Sequence, residues 1–394
     1  MFKLWLKFQI FLAVGSVLAD PCTISIPTDL PDPQPVFVTQ QGLFRPINQV
    51  TEVQEGEELT LHCAGKGNVV VPLKQQTVTL VCRGGDFYNT ETDEQQTLKD
   101  LKCTRIPTSE LQVTETTCAD GAGVFYEVGF LVNDNFHSVF TICYDSANEH
   151  TIYSRSLVNG AAQSFKINDS TRRAFKADGL RFSTTATNNF YVNKNQKSRF
   201  ASYFGAKQAF VNRTSFLARG HMAPDADFVF SYEQLATYYY ANCAPEWQVV
   251  NAGNWLRVEN AVRKLASQLG SDVLTYTSTL GVLELTNPTD NKETQIYLDK
   301  TELIPAPEWY YKIVMHPSLA ADVVFITRNN PFEDVGKEVE FCTNVCDKYD
   351  LDLSYYEDSR HGYTFCCELN DFWVAAMNTD SPNFDLPDGW SYKN

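Results

Sequence analysis

Apolar and polar side chains alternate at a period of two through the first part of the chain. Residues 58–63 and 77–82 follow this pattern, rich in β-branched side chains with Gly-rich turns between them, and predict short strands. From Val124 the runs change character. Residues 124–130, 138–144, 273–285, 295–298, 310–315 and 322–327 each predict a strand. One segment has a helical period instead: Trp255, Val258, Val262, Leu265 and Leu269 fall on one face, and Gly270 is suited to end the helix. A sheet that carries helices on its faces follows, so the expected class is α+β. No internal repeat or low-complexity tract interrupts it.

The amino terminus has a different pattern. Lys3 and Lys7 precede an apolar run from Phe8 to Leu18, with small residues before Asp20. This is the form of a secretory leader over residues 1–19. The run is too short to span a membrane, and no later stretch approaches about twenty apolar residues. The mature protein is therefore expected to be secreted, extracellular and free of membrane association. Composition shifts near residues 105–125, which divides the mature chain into a small β-rich domain over 20–120 and a larger domain over 121–394.

Cysteine usage agrees with export. All eleven cysteines lie beyond the leader, five of them between Cys22 and Cys118. In an exported chain they predict a disulfide framework, with the odd count leaving one thiol over. A zinc site built from Cys342, Cys346, Cys366 and Cys367 is the weaker alternative. Asn168 and Asn212 head glycosylation sequons. The formal net charge of −16 argues against a wide basic face for nucleic acid, but not against a local basic cleft.

Candidate chemistry is concentrated between Leu217 and Glu259. Arg219, His221, Asn242, Asn251 and Glu259 can together supply a base, a phosphate clamp and a site for a hard divalent ion. None of the six histidines forms a short His-x-His or His-x-x-x-His arrangement, which leaves a transition-metal centre without support. Magnesium keeps most of its waters and needs only one or two oxygen ligands. Asn251 begins the expected helix and Glu259 follows eight residues later, a helical rise of about 12 Å. Asn251 is thus the expected direct ligand, with Glu259 acting through water. Asn242 is expected to orient His221 or a water. Taken singly these residues have ordinary explanations: a surface histidine, a helix-capping asparagine, a core tryptophan. Tyr238, Tyr239 and Tyr240 are read as packing rather than as a base-stacking platform.

Arg219-Gly220-His221, followed by Asn242, Asn251, Trp255 and Glu259, resembles the signature of the DNA/RNA non-specific endonucleases, the ββα-metal nucleases. The resemblance runs from about Val124 to Cys367, and phrases such as 305–310 and 362–367 are similar to secreted arthropod salivary or gut members with a β-rich amino-terminal extension. It implies a ββα-metal nuclease domain behind a small disulfide-stapled β-rich domain. It implies His221 as general base, Asn251 as the protein ligand of Mg2+ (Mn2+ being the alternative ion), and Glu259 holding waters of the ion. Arg219 and Arg173 are implied as phosphate contacts, Arg173 through the segment 173–178. Two departures stand out: Ala218 replaces an aspartate, and Glu246 replaces a glutamine. The expected activity is sequence-independent cleavage of DNA, with RNA as a second substrate, to 5′-phosphate products. The competing expectation is a secreted nucleic-acid scavenger with weak or lost catalysis. No motif reads a 2′-hydroxyl, and none sets an oligomeric state.

Overall fold

The structure, a computed structural model, describes residues 20–167, 173–319, 322–349 and 355–376. The expected leader and the Asn168 sequon lie outside the described residues. The centre of the molecule is an eight-stranded antiparallel sheet. Its order across the sheet is Thr364–Glu368, Val323–Arg328, Pro307–Met315, Val273–Val282, His150–Val158, Asn135–Asp145, Gly123–Val132 and Glu110–Cys118. Every neighbouring pair is antiparallel. Its central strands, His150–Val158 and Val273–Val282, alternate apolar residues with small polar ones such as Ser154, Ser156, Thr275 and Thr277, and both kinds are buried because both faces are covered. The helix Leu256–Leu269 packs Val258, Val262 and Ala266 against Val158, Val273, Val314 and Phe325 on one face. The terminal helix Leu369–Ala376 covers Tyr311, Ile313 and Ile326 on the other. Gly270 caps the long helix in the left-handed region at φ 64°, which a residue without Cβ adopts freely.

The first β-rich unit is a six-stranded antiparallel sheet, Gly42–Leu43, Val36–Thr39, Glu58–His62, Thr77–Arg83, Asp86–Asn89 and Gln95–Gln96. Cys22–Cys82 and Cys63–Cys103 staple it. Cys118, counted with this unit from its sequence position, instead bonds Cys143 within the large sheet, and the strand Glu110–Cys118 forms that sheet's edge. Cys342–Cys367 and Cys346–Cys366 complete five disulfides, so those four residues form no zinc site. Cys243 is the free thiol, and it is buried.

The two sheets share a core. Apolar packing runs from Leu59 and Leu80 through Phe37 and Phe44 to Phe130, Phe230 and Tyr232. The rings of Phe230 and Tyr232 stack at 5.3 Å, and Phe37 lies 5.5 Å from Phe230. Polar contacts line the same seam. The backbone N–H and hydroxyl of Ser231 both donate to Gln34 Oε1 at 3.1 Å, and Arg45 pairs with Asp272 at 3.4 Å. A seam of this composition resembles the interior of one domain more than a contact between two independent ones.

Glu233 is buried at this seam, and burial pushes its carboxyl up to about 7, with Arg45 opposing the shift. Below about pH 4.5 the group is protonated whether the chain is folded or not, and has no effect on stability. As pH rises from about 4.5 to about 7 the unfolded chain ionises while the folded one keeps its proton, so the folded state loses stability across that window and the loss is complete above 7. Glu233→Gln should therefore raise stability at pH 8, by on the order of 1–3 kcal/mol, with the gain vanishing near pH 4. Urea unfolding at the two pH values checks this; an equal effect at both would contradict a neutral buried carboxyl.

Candidate active site

Two short strands, Leu217–His221 and Cys243–Trp247, pair antiparallel in a register that runs from Leu217 opposite Trp247 to His221 opposite Cys243. Alternation puts Arg219 and His221 on one face and Ala218 and Gly220 on the other. Gly220 is required by packing, since a Cβ there would run into the Glu246 carboxyl and lie 2.8 Å from the Tyr310 hydroxyl. The second strand leads into the turn that carries Asn251 and then into the long helix with Glu259. The result is a β-ribbon followed by a helix.

Asn242 precedes the second strand and is completely buried. Its Oδ1 accepts from the Ala223 N–H and the Ser154 hydroxyl, both at 2.9 Å. Its Nδ2 donates to the carbonyls of Ala223 at 2.8 Å and Thr237 at 3.0 Å. The amide is saturated by these four bonds. The expectation that it orients a water is thus corrected: it fixes the backbone immediately after His221, where its own carbonyl also accepts from Met222 N–H at 2.9 Å.

Arg219 is held in an aromatic cage. Its guanidinium carbon lies 4.9 Å from the Tyr191 ring, 5.4 Å from Phe175 and 5.5 Å from Tyr240. It donates to Asn188 Oδ1 at 2.7 Å and to the Tyr240 hydroxyl at 3.3 Å. Cation–π contact and hydrogen bonding together reduce the conformers open to this side chain. The segment 173–178 joins the same cluster: the Phe175 ring packs on His221 at 5.1 Å and on Tyr238 at 5.1 Å. Arg173, two residues earlier, is exposed. Lys176 anchors the segment, its Nζ donating at 2.9 Å to both the Ser109 carbonyl and the Tyr239 hydroxyl. Ser109 immediately precedes the edge strand of the large sheet, so the approach to that strand braces a wall of the site.

Asn251 does not begin a regular helix. Residues Asn251–Trp255 form a wider turn in which Gly253 has non-helical angles, φ −102° and ψ −121°, and the regular helix starts at Leu256. This corrects the expected 12 Å helical rise between Asn251 and Glu259. Gly253 lies flat against the 355–362 segment, where a Cβ would stand 2.7 Å from the His361 carbonyl oxygen. Asn254 secures the contact by donating to the carbonyls of Tyr355 and Gly362, both at 2.7 Å. The Asn251 side chain is partly exposed and has no hydrogen bond among the described residues, which leaves its carbonyl oxygen available as a ligand.

Glu259 is buried, and burial pushes its carboxyl up to about 7, with Arg263 and Lys312 opposing and Asp227 reinforcing the shift. Arg263 stands 4.0 Å away and pairs with Asp227 at 2.7 Å, both of these side chains being almost fully enclosed. Lys312 projects from the strand Pro307–Met315, donates to Thr277 and contacts the Met222 carbonyl at 3.5 Å. Sequence reading missed Arg263, Asp227 and Lys312. Two signals were present: Arg263 follows Glu259 at i+4, a spacing that pairs charges on a helix, and Lys312 interrupts an otherwise apolar strand. Glu246 was noted only as a departure. Its carboxyl is completely buried with both oxygens unpartnered among the described residues, and burial, reinforced by Glu259, raises it well above the usual range, which favours the neutral form. A neutral carboxyl has nearly the shape of the amide it replaces.

This β-ribbon, turn and helix define a ββα-metal nuclease. The chain belongs to the DNA/RNA non-specific endonuclease family, which it matches over residues 121–372, and is a nuclease, a phosphodiester hydrolase. It is 33% identical to the salivary protein Tsal1 of Glossina morsitans morsitans over 94% of each chain. It is 33% identical to a salivary endonuclease of Lutzomyia longipalpis over 91% of this chain and 84% of that one. A salivary endonuclease of Culex quinquefasciatus is 23% identical over 93% of this chain and 92% of its own.

The Gly253 contact makes a specific demand. Gly253→Ala should force the Asn251 turn away from the His361 carbonyl and lower kcat on plasmid DNA about 10²-fold, the effect of a misplacement of about 1 Å. Far-ultraviolet circular dichroism should stay unchanged. Full activity in this variant would mean that the turn tolerates displacement.

Proposed function

We propose that the chain is a secreted, magnesium-dependent, sequence-independent endonuclease that cleaves DNA, and RNA as a second substrate, to products with 5′-phosphate and 3′-hydroxyl ends. The observation that carries this reading is that His221 and Arg219 share one face of a strand whose partner strand leads into the Asn251 turn and the helix of the enclosed Glu259. Secretion is supported by the leader expected over residues 1–19, by five disulfides, which persist in oxidising compartments, and by relatives described as salivary. Among the described residues no helix is long and apolar enough to cross a membrane.

His221 takes a proton from water, and the resulting hydroxide attacks phosphorus in line while the bond to the 3′ oxygen breaks. Arg219, restrained by its cage, and Arg173 contact the phosphoryl oxygens, where a planar guanidinium matches their geometry. Asn242 keeps the backbone beside His221 fixed during the step. The unbonded Asn251 amide and the acidic, desolvated Glu259 suit a hard divalent ion that retains most of its waters. When bound, Mg2+, or Mn2+ in its stead, neutralises charge that builds on the phosphoryl group and the leaving oxygen. Arg263 and Lys312 offset the burial of Glu259 and favour its charged form.

Incubation of plasmid DNA and double-stranded RNA with magnesium or with EDTA tests the reading. Cleavage should require the ion and fall about 10²–10⁴-fold in His221→Ala, with a comparable loss in Glu259→Ala. Retention of a gel shift without any cleavage by the unsubstituted protein would instead identify a nucleic-acid scavenger.

A further inference from the structure

Between Asp178 and Asp225 the chain has no carboxylate. Residues 179–224, 46 in number, hold seven Lys and Arg and no Asp or Glu, in a protein of net charge −16. Three of the seven cations are engaged. Arg219 is caged as described. Arg181 donates to the Ser146 and Ala147 carbonyls. Arg199 stacks on Tyr203 and donates to the Tyr297 and Asp299 carbonyls. The other four, Lys194, Lys197, Lys207 and Arg213, are exposed, and their side chains have no hydrogen bond or ion pair among the described residues.

Lys194, Lys197 and Arg213 come from backbone that is fixed relative to the site, and Lys207 follows three residues after the end of the same helix. Lys194 and Lys197 stand one turn apart on the helix Asn193–Phe204, which buries Gln196, Phe200 and Phe204 on its other side. Gln196 clamps this helix to the catalytic strand, its Nε2 donating to the Leu217 carbonyl at 2.7 Å and its Oε1 accepting from the Leu217 N–H at 2.9 Å. Asn193 donates to the Asn212 carbonyl at 2.7 Å, so Lys194 and Arg213 emerge from adjoining backbone. Asn195 donates to the Asn189 carbonyl at 2.9 Å, and Asn188 is the partner of Arg219. The lobe is thus continuous with the residues beside His221.

Unscreened like charges repel one another, and a surface without a polyanionic partner intersperses acids among them. We propose that this acid-free lobe is the track on which a polynucleotide is held by its phosphates beyond the scissile bond. The proposal rests on the nuclease reading and deepens it, making the preferred substrate a chain several nucleotides long rather than a dinucleotide. Contacts to phosphate give register without sequence preference. The four cations need no base contact to act.

The test compares the full-length protein with the quadruple variant Lys194→Gln, Lys197→Gln, Lys207→Gln and Arg213→Gln. A glycan on Asn212 would stand beside Arg213, so both are enzymatically deglycosylated. Binding of a fluorescent 20-nucleotide DNA single strand is measured in EDTA over a salt series. Four lost phosphate contacts should flatten the slope of log Kd against log salt by about 3 and weaken binding at least tenfold in 0.15 M salt. With magnesium, KM for plasmid should rise while kcat and the hydrolysis of bis(p-nitrophenyl) phosphate stay unchanged. An unaltered salt slope together with an unaltered plasmid KM would overturn the track while leaving the nuclease reading intact. A flattened slope in a protein that cleaves nothing would uphold the track and remove the nuclease reading.

Discussion

One buried amide holds the candidate site together. Asn242 bonds Ser154 of the large sheet, both backbone groups of Ala223 just beyond His221, and Thr237 at the end of a short helix. The Ala223 N–H and carbonyl have no other partner among the described residues and would be left unsatisfied without it, at a cost of about 1–3 kcal/mol apiece, whereas the Thr237 carbonyl also accepts from the Tyr239 N–H. Through this residue the backbone beside His221 is tied to the large central sheet. The aromatic cage around Arg219 and the charge network around Glu259 are then assembled on either side of a ribbon that is already fixed.

The charge network follows from burial. Removing Glu259 from water favours its neutral form, and the enclosed cations Arg263 and Lys312 work against that preference. Arg263 is itself paired with Asp227, so the group is balanced within a few residues. Glu246 is a contrast only a short way along the chain: it is equally buried, but no cation opposes the rise of its carboxyl. Burial pushes both carboxyls the same way, and only Glu259 has cations that work against it.

The sequence was most readable where spacing itself imposes geometry. The long helix, its glycine cap and most strands of the large sheet follow from period and turn chemistry, and the Arg219-to-Glu259 register was legible because its residue types are uncommon in that combination. The wider turn at Gly253 was not legible, because its cause is the His361 carbonyl more than a hundred residues away. The same holds for Lys312, whose partners come from Thr277 and Met222, and for the role of Ser109 in bracing Lys176. Composition places the boundary only to within 105–125, whereas the strand Glu110–Cys118 joins the large sheet through its pairing with Gly123–Val132, which composition does not encode. Shared packing of Phe37 with Phe230 could not be read at all, since either ring alone is simply a core residue.

Cys243 carries a consequence for how the molecule matures. Ten cysteines must find five partners while an eleventh thiol stays out of the exchange. Burial pushes that thiol well above its ordinary range, which withholds the reactive thiolate once the ribbon has closed. In a chain whose ribbon is still open, the same sulfur is a competitor for every other pairing. Closure of the ribbon thus does two things at once: it sets the register of Leu217–His221 against Cys243–Trp247, and it takes the eleventh sulfur out of reach of the ten that are bridged.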